Sequence, residues 1–164
     1  MSWIQIWKKS KRFYGWRHVN KACRKLSISY QHTLPTRIIA LARGGLVPAT
    51  IMANQLGVRQ IYSLGISSYE VTTDGTERPG SFDLYQNLPA NTRVGNDDVV
   101  LLIDDISDKG TTFKYSADYV KEIVGGRVVT MSLVIKPSTK FKPDYYNEVV
   151  DDDQWVVFPW EATG

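Results

Sequence analysis

The chain has 164 residues, 43% of them hydrophobic, and a formal net charge of +3. That length holds one domain with a substantial core and is short for two. No stretch approaches the ~20 apolar residues of a membrane span, and the single cysteine, Cys23, excludes an intramolecular disulfide.

Charge is unevenly distributed along the chain. No Asp or Glu precedes Glu70, whereas Lys8, Lys9, Lys11, Arg12, Arg17, Lys21, Arg24, Lys25, Arg37, Arg43 and Arg59 all do. Such a block can contact nucleic acid, attract a polyphosphate, or pair with the acidic run at 151–153 in the same or a neighbouring subunit. A solvated helix face accounts for most of it. At the N-terminus SWIQIW precedes KKSKR, the reverse of the order in a secretory leader, so a soluble, cytoplasmic chain is expected.

From Trp16 to Leu26 the apolar positions Val19, Ala22, Cys23 and Leu26 recur at helical spacing and turn Cys23 toward the core. Cys23 is thus read as a packing residue, and with only His18 and His32 available no Cys/His metal site is expected. RIIALA (37–42) predicts a buried strand, VPATIMANQLG (47–57) a helix closed by Gly57, and RQIYSLG (59–65) another strand. From Ser67 to Asn96 no period survives Gly75, Pro79, Gly80 and Pro89. A structureless run of roughly 30 residues is read as an active-site lid, against the competing reading of a disordered insertion without function. VVLLI (99–103) predicts a strand ending in carboxylates. Thr111 to Val124 follows as a helix with Phe113, Ala117, Val120 and Val124 on one face and Gly125-Gly126 as its stop, and RVVTMSLVI (127–135) is the last strong strand.

Alternating strands and helices with near-continuous apolar strands define an α/β domain with a mostly parallel sheet flanked by helices. Ligands bind such sheets at the carboxyl ends of the strands. Arg43-Gly44-Gly45 and the stretch from Asp104 to Thr112 both follow strands in this reading, and they are expected to meet in space.

The second stretch carries the stronger chemistry. Asp104 and Asp105 at a strand end can coordinate Mg²⁺ or accept hydrogen bonds from sugar hydroxyls, either of which relieves their mutual repulsion. The following SDKGTT brings a glycine and two hydroxyls to a helix start, where backbone N–H groups and the helix dipole favour a phosphate. Together they describe a site for a phosphorylated ribose. Helix capping is the alternative for Asp108, but capping leaves Asp104 and Asp105 without a purpose.

VVLLIDDISDKGTT (99–112) resembles the phosphoribosyl-pyrophosphate motif of type I phosphoribosyltransferases. ARGGLVPA (42–49), ISSY (66–69), IKP (135–137) and DQWVVFPWE (153–161) narrow the resemblance to the bacterial xanthine-guanine phosphoribosyltransferases. Matches in this order span Trp16 to Glu161. The resemblance implies a twisted, mostly parallel sheet as the core (30–140) of a single domain (1–164). A small hood comes from the chain ends (1–29 and 141–164), and a mobile loop occupies 67–96.

The resemblance also implies roles. Asp104 and Asp105 would bind the ribose hydroxyls of phosphoribosyl pyrophosphate, directly or through Mg²⁺. Asp108 would serve as general base or charge stabiliser near N7 of the purine, while Lys109, Gly110, Thr111 and Thr112 hold the 5′-phosphate. Arg43 and Gly44 would meet pyrophosphate, after an Ala42–Arg43 peptide that is often cis in the family, and Arg78 would be a loop cation closing on it. Lys136 would donate to the purine 6-oxo group, Trp155 would stack on the ring, the Val156 carbonyl would accept from a 2-amino group, and Trp160 would pack. Lys109 departs from the family's usual threonine, the loop is long, and MSWIQIWKKSKR has no counterpart in the pattern.

The expected activity is transfer of 5-phosphoribose from phosphoribosyl pyrophosphate to N9 of guanine, xanthine or hypoxanthine, by a dimer or tetramer. The competing reading is a regulator of the same fold that senses phosphoribosyl pyrophosphate and binds nucleic acid through the basic N-terminal block. Retention of Asp108, Lys136 and Trp155 favours the enzyme.

Overall fold

The computed structural model describes residues 10–31, 33–69 and 81–161. In chain order the elements are β1 (Ser10–Phe13), α1 (Trp16–Ser29), β2 (Arg37–Ala42), α2 (Leu46–Leu56), β3 (Ile61–Tyr69), β4 (Ser81–Gln86), a 3₁₀ turn (Ala90–Thr92), β5 (Val99–Ser107), α3 (Thr111–Val124), β6 (Arg127–Ile135), β7 (Tyr145–Val149) and β8 (Gln154–Val157).

Six strands form one sheet in the order β4-β3-β2-β5-β6-β7. All neighbours run parallel except β3 and β4, which form an antiparallel pair. The alternation of side chains along each strand divides the core between the two faces. Ile38, Ala40, Val99, Leu101 and Ile103 pack with Val19, Cys23 and Leu26 of α1 and Ala49 and Met52 of α2. Ile39, Leu41, Val100 and Leu102 pack instead with Phe113, Ala117, Val120 and Val124 of α3. Cys23 is fully buried, and burial pushes its thiol up to about 12.

The chain ends join in a separate two-stranded parallel sheet, with Lys11 opposite Trp155 and Arg12 opposite Val156. Arg12 forms an ion pair with Glu148 at 2.7 Å, so this member of the basic block pairs with β7 and not with the acidic run at 151–153. Tyr14 also donates to Glu148, and burial together with that bond raises its hydroxyl pKa.

Two readings of the sequence are corrected here. Residues 70–80 lie outside the described residues, but the rest of the stretch 67–96 is not structureless: β3 continues to Tyr69, β4 returns antiparallel to it, and a 3₁₀ turn follows. Phe82 and Leu84 alternate with polar neighbours in SFDLYQ, but the bulge at Tyr85 breaks the period after four residues, too few to set a signal. Nor does β5 stop before its carboxylates. It runs on to Ser107, with Asp104 opposite Ser132 and Ile106 opposite Val134 of β6, because a central strand keeps its ladder as long as its neighbour continues. β1, β7 and β8 span only four or five residues each, too few for a period of 2 to stand out in the sequence.

Candidate active site

The β2–α2 turn and the end of β5 do meet. Gly44 sits so close to Asp105 that a Cβ built on it would stand 2.1 Å from Asp105 Oδ2. Gly45 is equally confined: its Cβ would stand 2.3 Å from the Ile103 carbonyl oxygen. The Ala42–Arg43 peptide bond is cis, as the resemblance implied. Arg43 is exposed, and its carbonyl accepts the Leu46 N–H at 3.1 Å as α2 begins.

Asp104 is half-buried and Asp105 buried. Asp104 Oδ1 accepts the Asp105 backbone N–H at 2.9 Å. Burial, then the neighbouring Asp105 charge, holds Asp104 well above the usual carboxylate range. Burial, then the charge of Glu161, lifts Asp105 to about 6. Among the described residues neither carboxylate has an ion-pair partner. Two hard oxygen donor groups that burial and a neighbouring negative charge hold back from ionising form a set suited to a divalent cation completed by ligand oxygens and water.

Asp108 is exposed, and among the described residues it makes no hydrogen bond or ion pair. The capping alternative fails, because the residue at the start of α3 is Gly110 and no side chain caps it. Gly110 has φ +80°, and a Cβ there would stand 2.4 Å from Thr139 Oγ1 and 2.5 Å from the Phe141 nitrogen. Only glycine fits on both counts. The loop is braced from below, with Ser107 Oγ donating to the Phe141 carbonyl at 2.7 Å and the Lys140 N–H donating to the Lys109 carbonyl at 3.0 Å. Thr111 and Thr112 open α3, whose first turn carries no acidic residue, leaving that helix end favourable to an anion.

Lys136, at the end of β6, is buried, and its ammonium donates to the carbonyls of Asp151, at 2.7 Å, and Gln154. It therefore ties the sheet to the turn that begins β8, where half-buried Trp155 and buried Val156 lie. Trp160 stacks on Phe158 with ring centroids 4.8 Å apart and planes 4° from parallel. Its indole N–H is buried without a hydrogen-bond partner, and it lies near enough to Asp105 to favour that carboxylate's charged form. Arg78 lies outside the described residues.

Tertiary structure thus brings Arg43, Gly44, Asp104 and Asp105 to one place, with the loop from Asp108 to Thr112 leading directly from β5. It also adds members that sequence reasoning missed as side chains: Glu161 and Trp160 beside Asp105, and Thr139 and Phe141 beneath Gly110. Local periodicity carries no signal for contacts between residues so far apart in the chain.

The sequence model of the phosphoribosyl transferase domain matches residues 10–163, and the chain belongs to that family. It is a phosphoribosyltransferase, an enzyme of the glycosyltransferase class. It is 32% identical over 162 residues to a xanthine-guanine phosphoribosyltransferase of Desulfotalea psychrophila, covering 99% of this chain and 85% of that protein. The same name belongs to a Gluconobacter oxydans protein that is 33% identical over 125 residues, covering 76% of this chain and 68% of that one. The fold superposes on a purine phosphoribosyltransferase from Pyrococcus horikoshii with a TM-score of 0.80 and 28% identity, covering 94% and 96% of the two chains. The regulator reading is not carried, since these relatives are named as transferases. No helix among the described residues is long and apolar enough to cross a membrane.

Proposed function

We propose that the enzyme salvages 6-oxopurines, moving 5-phosphoribose from phosphoribosyl pyrophosphate to N9 of guanine, xanthine or hypoxanthine and releasing pyrophosphate. The observation that carries this reading is the approach of Gly44 to Asp105. It sets a turn fit for pyrophosphate against a carboxylate pair fit for ribose hydroxyls, with an anion-favouring helix start following on the same strand.

In this reading the ribose lies over Asp104 and Asp105, and the 5′-phosphate rests on the backbone and hydroxyls from Lys109 to Thr112. Arg43 and Gly44 hold the pyrophosphate. As the C1′–O bond to pyrophosphate breaks and N9 attacks, positive charge develops on the sugar ring, and the carboxylates beneath it stabilise that charge. Asp108 takes or balances the proton released at N7 of the purine. Its exposure and lack of partners leave it available for that role. Asp104 and Asp105 would also hold Mg²⁺, which when bound offsets the negative charge of the departing pyrophosphate.

On the base side, Lys136 would donate to the 6-oxo group, excluding adenine, which offers an amino donor there. The Val156 carbonyl would accept from a 2-amino group. Trp155 would stack on the ring, an interaction worth ~1–3 kcal/mol. The β1–β8 sheet is the natural candidate for the hood over the base, and the 67–96 segment, which includes Arg78, for the closing element that excludes water. The enzyme works in the cytoplasm as a dimer or tetramer.

The test is pyrophosphate release from phosphoribosyl pyrophosphate and Mg²⁺ with guanine, xanthine, hypoxanthine, adenine or uracil supplied singly. Release with 6-oxopurines alone is expected. Equal release with adenine or uracil would overturn the assignment of Lys136.

A further inference from the structure

The β3–β4 hairpin contains an irregularity whose geometry reaches into the site. Gly65 pairs with Gln86 and Ile66 with Leu84, so Tyr85 is the extra residue of a β-bulge. Bulges re-aim side chains and occur next to active sites. Here the Tyr85 ring passes over Gly65: a Cβ on that glycine would stand 2.2 Å from Tyr85 Cε2. Gly65 is in turn the β3 partner of Ala42 on β2. Having crossed β3 where no side chain obstructs it, the Tyr85 hydroxyl donates to the Ala42 carbonyl at 3.2 Å. That carbonyl immediately precedes Arg43.

The strand carrying Tyr85 is itself held. Phe82 stacks on Tyr115 of α3, with centroids 4.2 Å apart and planes 17° from parallel. Gln86 donates to Ser63 Oγ, and the Tyr119 hydroxyl bonds Asn87 Oδ1 just beyond β4. An edge strand clamped to both β3 and α3 therefore extends one phenol across its neighbour to the turn that carries Arg43 and Gly44.

We infer that Tyr85 is a positioning residue for phosphoribosyl pyrophosphate: it holds the Ala42 carbonyl so that the Arg43-Gly44 turn keeps its place against Asp105. Gly65 is required because any side chain there would block the ring. This rests on the proposed role of the Arg43-Gly44 turn in holding pyrophosphate. It links the strand that follows the 70–80 segment to the reacting end of the substrate, so anything that displaces β4 reaches the pyrophosphate turn through a single hydrogen bond.

Tyr85→Phe keeps the ring and removes the hydroxyl, Gly65→Ala blocks the crossing, and Arg43→Ala tests the turn itself. Calorimetric titration of each full-length variant with phosphoribosyl pyrophosphate and Mg²⁺ is compared with KM for guanine and with thermal melting. Loss of one hydrogen bond of ordinary strength predicts about five-fold weaker phosphoribosyl pyrophosphate binding for Tyr85→Phe, a larger loss for Gly65→Ala, an unmoved guanine KM for Tyr85→Phe and at most a small fall in its melting temperature. If Arg43→Ala binds more weakly while Tyr85→Phe binds as the unaltered enzyme does, Tyr85 has no positioning role. If Tyr85→Phe weakens both substrates equally and lowers the melting temperature substantially, its role is structural only, which also overturns the inference. Unchanged binding by Arg43→Ala would overturn both this inference and the assignment of the turn.

Discussion

Gly44 leaves no room for a side chain above Asp105: its Cβ would lie 2.1 Å from one carboxylate oxygen and 2.6 Å from the other. Gly44→Ala must therefore push the carboxylate aside. Misplacement of a catalytic group by about 1 Å can cost 10²-fold, and turnover should fall by about that factor. Steady-state kinetics checks this, and near-normal turnover would show that Asp105 need not stay where it is.

Asp108 is exposed, caps no helix and has no partner among the described residues. Asp108→Asn should therefore leave the melting temperature unchanged while kcat falls by about 10²-fold or more, the usual contribution of general acid–base catalysis. Full turnover with guanine would remove Asp108 from the chemistry.

Burial and the Glu161 charge raise Asp105 from 3.8 to about 6, and burial and the Asp105 charge raise Asp104. A carboxyl raised on folding binds its proton more tightly in the folded state, so its stabilising contribution is present at low pH. That contribution disappears as the pH climbs from about 4 through about 6. The metal-free protein should lose melting temperature over this interval relative to the Asp104→Asn/Asp105→Asn double variant. Phosphoribosyl pyrophosphate with Mg²⁺, which engages the charged carboxylates, should restore more stability at pH 7 than at pH 5. Parallel melting curves for the two proteins would contradict the raised pKa values.

Lys136 is buried and donates to the Asp151 and Gln154 carbonyls. Lys136→Ala removes the ammonium from both acceptors, leaving the Asp151 carbonyl with only the Gln154 N–H at 3.1 Å, at a cost of about 1–3 kcal/mol. The denaturant midpoint should fall and KM for guanine should rise together. Loss of guanine binding with no loss of stability would mean that these carbonyls find other donors.

Cys23 is inert by its surroundings: it is fully buried and its thiol pKa is pushed up to about 12. Alkylation by iodoacetamide at pH 8 should be negligible in the folded protein and rapid in denaturant. Rapid labelling under native conditions would show that α1 opens.

Much of this architecture was written locally. The helical spacing of Val19, Ala22, Cys23 and Leu26, the apolar runs of β2 and β6, and the glycines that close α2 and α3 are short-range signals, and each yielded its element. The carboxylates and glycine from Asp104 to Gly110 likewise declared their chemistry, because charge on a buried strand and a glycine before a helix need a reason wherever they occur. What the order of residues left open was decided by which strands became neighbours. That the Arg43-Gly44 turn meets the end of β5 was already expected from the strand ends, but parallel pairing of β2 with β5 is what presses Gly44 against Asp105. The β1–β8 pair joins the chain ends, and a bulge carries Tyr85 across Gly65 to Ala42. Those contacts join residues far apart in the chain, and periodicity within one segment holds no information about which other segment it will pair with.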